Sequence, residues 1–277
     1  MTFEPEQLGQ SSQELASKLR ELRKQAGLSG VRLAARCHMS QSKVSRIENG
    51  KVRPSLVDIE QILRALDAPA NLIAEISALA RLANTEWRNL RELRRKGLGT
   101  RQAELRALEA SSAHIRYLLP SMLTGLLATP EYVRASLAHS PADTSKAAAG
   151  KLERQAVLYD SSKRFTFILT EQAVRWPVVA PLPLAEQMDR LSSLTYLPNV
   201  RLGVLPLGTV TPRSPLNTFT IYDASLVTIE TSAGSLVLRD SRDIQSYLDE
   251  FSGYEECALF GEEGRARLAE WSTSCRS

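Results

Sequence analysis

Residues 28–50, LSGVRLAARCHMSQSKVSRIENG, constrain the fold more than any other stretch of the chain. Ser29 is a good cap for a short helix that carries Leu33 and Ala34 on one face. Ser40 caps a second helix, and Asn49-Gly50 ends it with residues that tolerate left-handed backbone. At about 100° per residue, Val44 and Ile47 point to one side of that second helix. Ser42, Ser45 and Arg46 point roughly opposite, with Gln41 and Lys43 on the flanks. The outward face carries a guanidinium, an ammonium, an amide and hydroxyls, with no aliphatic group. Such groups read base edges and hold phosphates.

The stretch resembles the helix-turn-helix of phage-repressor and Xre-type regulators. Leu33-Ala34, Ser40-Gln41-Ser42 and the run Val44-Ser45-Arg46-Ile47-Glu48-Asn49-Gly50 carry the resemblance, which covers roughly residues 12–70. It implies that Ser42, Ser45 and Arg46 reach bases and that Gln41 meets a base or a phosphate. Lys43, Lys51 and Arg53 then hold the backbone of double-stranded DNA. The family's usual Gln near the start of the first motif helix is Gly30 here, which leaves that phosphate contact to the backbone by Ser29 or to Arg32. His38 stands where the family has Gly, at a turn needing positive φ. The resemblance also implies a salt bridge between Arg23 and Glu48.

Charge is distributed to match. Between residues 12 and 53 there are ten Lys or Arg against Glu14, Glu21 and Glu48. From residue 221 onward the balance reverses, with eleven acids against five arginines. A basic head and an acidic tail suit a DNA-binding domain joined to one with another task. At 277 residues, two domains of ordinary size are expected. The beginning of the chain has no apolar signal region, and no stretch approaches the roughly 18 apolar residues of a membrane span. No membrane partner is expected, and the reading is cytoplasmic, on the nucleoid when DNA-bound.

The expected organisation is a flexible arm at 1–11, an all-α bundle of five helices at 12–70, a linker helix and hinge at 71–102, and an α+β domain at 103–277. In the bundle, a helix from Ser12 to Ala26 presents Leu15, Leu19 and Leu22, and Ser55 caps another presenting Leu56, Ile59, Leu63 and Leu66. The linker helix is read over 70–95. Its apolar stripe, Leu72 to Leu90, is either a dimer seam or a face packed on the next domain. Arg91, Arg94, Arg95 and Lys96 lead into a Gly97-Leu98-Gly99 hinge.

Beyond residue 103, strands are read at 115–120, 165–170, 200–205, 218–222, 226–231 and 236–239, with helices around them. The last three are split by turns short enough for an antiparallel meander, so the sheet is expected to be mainly antiparallel. The stretch PSMLTGLLATPEYVRASL, followed by Arg154-Gln155, Glu171, the segment Pro198 to Pro206 and Phe219 to Ile221, resembles the C-terminal domain of Xre regulators of the WhiJ kind. That resemblance implies a regulatory role beside a small companion protein encoded nearby.

Chemistry is sparse. His38, His114 and His139 lack ligand-spaced partners, and Cys37, Cys257 and Cys275 are too scattered for a disulfide framework or a zinc site. Cys37 is read as filling a small buried slot. There is no glycine-rich phosphate loop and no Gly-x-Ser-x-Gly elbow. An ADP-ribosyltransferase needs a Ser-Thr-Ser strand and a later Glu-x-Glu. Here Ser272-Thr273-Ser274 comes last, and Glu4-Pro5-Glu6 lies in the arm. No catalytic residue, metal or cofactor is expected, and the chain reads as a homodimeric, non-enzymatic transcriptional regulator. Its C-terminal domain would bind a small protein or a small-molecule effector. The alternative is the DNA-tethered member of a toxin–antitoxin-like pair with a degenerate ADP-ribosyltransferase-like domain.

Overall fold

The computed structural model describes residues 7–89, 98–138 and 144–276. The chain forms two compact units, Met1–Trp87 with Leu236–Ile244, and Arg88–Ser235 with Gln245–Ser277.

The first unit is helical: α1 (Gln7–Gln25), α2 (Gly30–Arg36), α3 (Gln41–Glu48), α4 (Leu56–Ala65) and α5 (Ala70–Asn84). Each short helix begins where its cap residue predicts. The Ser29, Ser40 and Ser55 hydroxyls accept from the backbone N–H groups of Arg32, Lys43 and Asp58, and Asp58 returns the bond to Ser55 to close a capping box. Leu15, Leu19, Leu33, Val44, Ile47, Ile59 and Leu63 make one core, which also takes in Ile76 and Ala80 of α5. Cys37 is buried at its edge, with Sγ 3.7 Å from Gln61 O, and burial pushes its thiol pKa up.

Two expectations change. Residues 12–70 hold four helices; the fifth, α5, is the one read as a linker, and Leu72, Ile73, Ile76, Leu79 and Ala80 of its apolar stripe pack in the bundle core. That helix also stops at Asn84 instead of running to 95, and β1 (Thr85–Asn89) follows. The cause is the Asn84 side chain. It is buried, and its amide donates to Ala80 O at 3.1 Å and to Pro54 O at 2.8 Å, a local alternative to continued helix. Residues 7–11 of the expected arm are helical. Residues 1–6, the basic run 91–96, Gly97 and residues 139–143 lie outside the described residues. The segment Leu236–Ile244 completes this unit: Arg239 N donates to Asn84 O at 3.3 Å, and Arg242 pairs with Glu60 of α4.

In the second unit, α6 (Leu98–Ser111) leads to β2 (His114–Leu119), α7 (Pro130–Leu137), α8 (Ser145–Arg154) and a 3-10 turn at Gln155–Tyr159. Next come β3 (Arg164–Thr170), α9 (Glu171–Arg175), α10 (Pro181–Leu194), β4 (Val200–Leu205), β5 (Thr218–Tyr222) and β6 (Leu226–Glu230). After β7 (Gly234–Leu238), α11 (Ser241–Cys257) and α12 (Gly261–Arg276) complete the order.

The sheet is mixed, which corrects the mainly antiparallel expectation. In the order β6-β5-β2-β3-β4, the β2–β3 and β3–β4 pairs are parallel, whereas β2–β5 and β5–β6 are antiparallel. The helices between β2 and β3, and between β3 and β4, are crossovers that return the chain to the same end of the sheet, as parallel pairing requires. The β5–β6 hairpin does close on Asp223-Ala224-Ser225, with Asp223 at φ 53°. Tyr117 stacks on Phe167 at 4.9 Å between ring centroids on one face, and Phe219 meets Tyr247 edge-on at 4.9 Å on the other.

The residues of the second resemblance prove to be fasteners. Gln155 donates to Gly125 O at 2.8 Å and to Ala128 O at 2.7 Å, pinning the loop after β2, and Arg190 of α10 donates to Gln155 Oε1 at 2.6 Å. Glu171 accepts from Leu207 N at 2.9 Å and from Arg175, which ties the end of β3 to the chain just past Pro206. Burial would raise the Glu171 pKa; those two donors outweigh it and hold the carboxyl below the usual range.

Candidate nucleic-acid interface

The site is built on α2, the turn after it, and α3. Both helices close with the same backbone device. At the end of α2, His38 sits at φ 54°, its N–H bonds Ala35 O at 3.3 Å, and Met39 N bonds Ala34 O at 2.9 Å. At the end of α3, Gly50 takes φ 66°, with Gly50 N on Ile47 O at 3.0 Å and Lys51 N on Arg46 O at 2.8 Å. These paired bonds satisfy carbonyls that would otherwise be left open. His38 therefore adopts the left-handed conformation that its position in the turn demands.

The orientation of α3 rests on two anchors. Val44 and Ile47 are each 1% exposed in the core. On the edge of the same face, Arg23 of α1 grips Glu48 through two parallel bonds, Nε to Oε1 at 2.6 Å and Nη2 to Oε2 at 2.9 Å. The third guanidinium nitrogen donates to Leu28 O at 2.8 Å, in the loop before α2. The Glu48 hydrogen bond is the main reason that the Arg23 pKa is raised.

What α3 turns outward is polar. Gln41, Ser42 and Arg46 are exposed, as are Lys51 just past the helix and Arg32 and Ser29 at the start of α2. Arg46 rests its Nε 3.4 Å from Ser42 O, a contact weak enough to yield to a base or a phosphate. Ser45 is half-buried, and the Asn49 amide donates to its carbonyl at 2.7 Å and reaches its hydroxyl at 3.4 Å. Arg53 is half-buried in the loop before α4.

Lys43 is half-buried and has a partner within the protein. Its ammonium lies 2.6 Å from Asp58 Oδ1, so the side chain ties α3 to the capping box of α4. Sequence reading gave Asp58 and Asn49 no part in the site. The Ser-x-x-Asp spacing of Ser55 and Asp58 is a local signal for the cap; the lysine that uses its carboxylate lies fifteen residues away.

Among the described residues, no group of His, Cys, Asp and Glu converges as a metal site, and no helix is long and apolar enough to cross a membrane. A small bundle that sets a capped polar helix in front of a buried anchor defines the class: a helix-turn-helix DNA-binding regulator. Residues 14–76 match a family described as a helix-turn-helix domain. The chain belongs to the family described as a domain of unknown function (DUF5753), which it matches over residues 102–270.

No curated protein matches the chain. Among solved structures it is similar to Nuc, a phospholipase D family member from Salmonella typhimurium, at 10% identity and a TM-score of 0.34, over 58% of this chain and 90% of that one. It is also similar to TrmBL2, an archaeal chromatin protein described as having a novel mode of DNA binding, at 12% identity and a TM-score of 0.35, over 73% of this chain and 64% of that one.

Proposed function

We propose that the chain is a sequence-specific transcriptional regulator of the Xre type, with a WhiJ-like C-terminal domain that binds a small companion protein or a small effector. The observation that carries this reading is the polar outward face of α3, held in a fixed attitude by Val44, Ile47 and the Arg23–Glu48 pair. In this reading Arg46 and Ser42 reach base edges, Gln41 meets a base or a phosphate, and Arg32, Lys43, Lys51 and Arg53 hold the DNA backbone. Ser29 and Ser45 act as much on the protein as on DNA: Ser29 caps α2, and the Ser45 hydroxyl lies within reach of the Asn49 amide.

Binding assays on operator and random duplexes test the assignment. Arg46→Ala is expected to weaken specific binding by about 1–3 kcal/mol and to relax selectivity at one or two base pairs. Lys51→Ala should instead weaken all sequences alike and flatten the salt dependence by about one unit. Equal losses on operator and random DNA for Arg46→Ala would remove Arg46 from base reading.

One recognition helix reads too few bases for a unique operator, so the working species is a homodimer on inverted half-sites about one helical turn apart. Light scattering on the order of tens of micromolar chain, free and on DNA, is expected to report two copies on the operator. A single copy in both states would contradict this.

The C-terminal domain acts by recognition and not by turnover. Supporting this, Ser272-Thr273-Ser274 lies inside α12 and not on a strand, where the Ser272 hydroxyl donates to Ala185 O and Asp189. Release of nicotinamide from a nicotinamide dinucleotide by the full chain would overturn that part of the reading.

A further inference from the structure

On the face of the sheet that carries Phe219, basic groups collect where β2, β3 and β4 begin, and the proposed DNA interface uses none of them. The register sets His114 beside Arg164, and Arg116 beside Thr166, which in turn sits beside Arg201. In-register neighbours on adjacent strands project to the same side of a sheet. The carboxylates nearby are already occupied. Glu255 of α11 pairs with Arg201, whose guanidinium also lies over the Phe260 ring at 4.1 Å. Asp223, in the β5–β6 turn, accepts from the backbone N–H groups of His114 at 2.7 Å and Ala113 at 3.0 Å.

Arg116 and Arg164 are left over. The hydrogen bond of Arg116 is a long one, 3.5 Å to Asp223 O, and among the described residues neither arginine has a carboxylate at ion-pair distance. Arg116 is half-buried and Arg164 is exposed beside it. His114 stands behind them with its Nε2 3.0 Å from the hydroxyl of buried Thr166. Burial, then Arg116 and Arg164, hold the His114 pKa down to about 4 against the pull of Asp223. The imidazole is thus neutral near pH 7, and with Arg201 paired to Glu255 the two guanidiniums are the cations of this cluster outside an ion pair. Burial first and Arg164 besides lower the Arg116 pKa, against the pull of Glu255 and Asp223, and an anion bridging the two guanidiniums would relieve both effects. Guanidinium forks match the oxygens of a phosphoryl group, which can accept from both arginines at once.

We propose that Arg116 and Arg164, backed by His114, form a binding site for a phosphate-bearing small molecule in the DUF5753 domain. The site stands independently of whether the chain binds DNA. A small ligand is favoured over a duplex backbone because Arg116 and His114 are half-buried.

Calorimetric titration of the full chain with inorganic pyrophosphate and inorganic phosphate, alongside histidine NMR, tests this. Binding is expected to shift the His114 ring resonance and to raise its pKa, because the anion offsets Arg116 and Arg164. Arg116→Gln and Arg164→Gln should each weaken pyrophosphate binding about tenfold. Arg106→Gln, which breaks an exposed pair with Glu153 on α8, should leave it unchanged. Arg164 is exposed, so its variant remains informative if Arg116→Gln fails to fold. The proposal falls if no heat and no His114 shift appear by about 10 mM of either anion, which is weaker than any specific site requires. It falls equally if Arg106→Gln loses as much binding as Arg164→Gln, or if only random duplex DNA moves the His114 resonance.

Discussion

Glu109→Ala is expected to destabilise the DUF5753 domain by about 3–5 kcal/mol, and Arg154→Ala by a similar amount, because each leaves a buried partner without its counter-charge. The Glu109 side chain is 1% exposed and that of Arg154 4%. Arg154 donates to both Glu109 oxygens, with Nε to Oε2 at 3.0 Å, and its remaining nitrogen bonds Gln102 Oε1 at 2.7 Å. Tyr117 of β2 adds its hydroxyl to Glu109 Oε1 at 3.3 Å. Burial works against the charged guanidinium, and the Glu109 contact more than offsets it, so that the Arg154 pKa is raised.

Loss of the carboxylate would strand both the guanidinium and the Tyr117 hydroxyl, and would separate α6 from α8. The double change Glu109→Leu with Arg154→Met removes both charges together. It should cost much less than the two single losses added, since desolvation of an ion pair consumes most of what its attraction returns. Urea denaturation followed by the fluorescence of Trp176 and Trp271, with Trp87 replaced by Phe, reads this domain. A midpoint unchanged in Glu109→Ala would mean that the pair does not hold the helices.

The second large effect falls on the helix-turn-helix. Glu48→Ala is expected to cost a few kcal/mol, at most about 3–5, since the Arg23 side chain is 13% exposed and that of Glu48 8%. Arg23→Lys should lose less, about 1–2 kcal/mol, because an ammonium keeps the charge but cannot make the two parallel bonds. The functional readout goes beyond stability. With the pair gone, α3 loses its tie to α1, so operator affinity should fall even at temperatures where the helices persist. Thermal melting by circular dichroism, beside operator binding well below the transition, separates the two. No change in melting for Glu48→Ala would contradict the ion pair. Altered melting with unaltered operator binding would confine it to stability.

What the amino-acid sequence determined by itself was whatever rests on neighbours along the chain. The caps at Ser29, Ser40 and Ser55 act three residues ahead, so α2, α3 and α4 begin where their sequences say. The left-handed residues His38 and Gly50 end helices through bonds reaching back three to five residues. Strands β2 to β6 follow from apolar runs of five to seven residues, and the β5–β6 turn from the small residues Asp223, Ala224 and Ser225. The outward face of α3 is legible for the same reason, because helical periodicity alone turns Arg46 away from Ile47.

Tertiary structure decided what depends on partners far away in the chain. Whether β2 pairs with β3 in parallel or antiparallel fashion is not written in either strand, since both orientations bury the same alternating residues; the crossover helices chose. The helix at Ala70 ended at Asn84 because a carbonyl thirty residues earlier, Pro54 O, was there to take its amide. That Lys43 has Asp58 within 2.6 Å of its ammonium is set by the packing of α3 on α4. The segment Leu236–Ile244 joined the helical unit through Glu60 and Asn84, which no local pattern marks. Nothing along the sequence joins His114, Arg116 and Arg164; strand register sets them at neighbouring positions on one face of the sheet. Charge is counted along a sequence, but electrostatic energy depends on separation in space, and the fold alone supplies that distance.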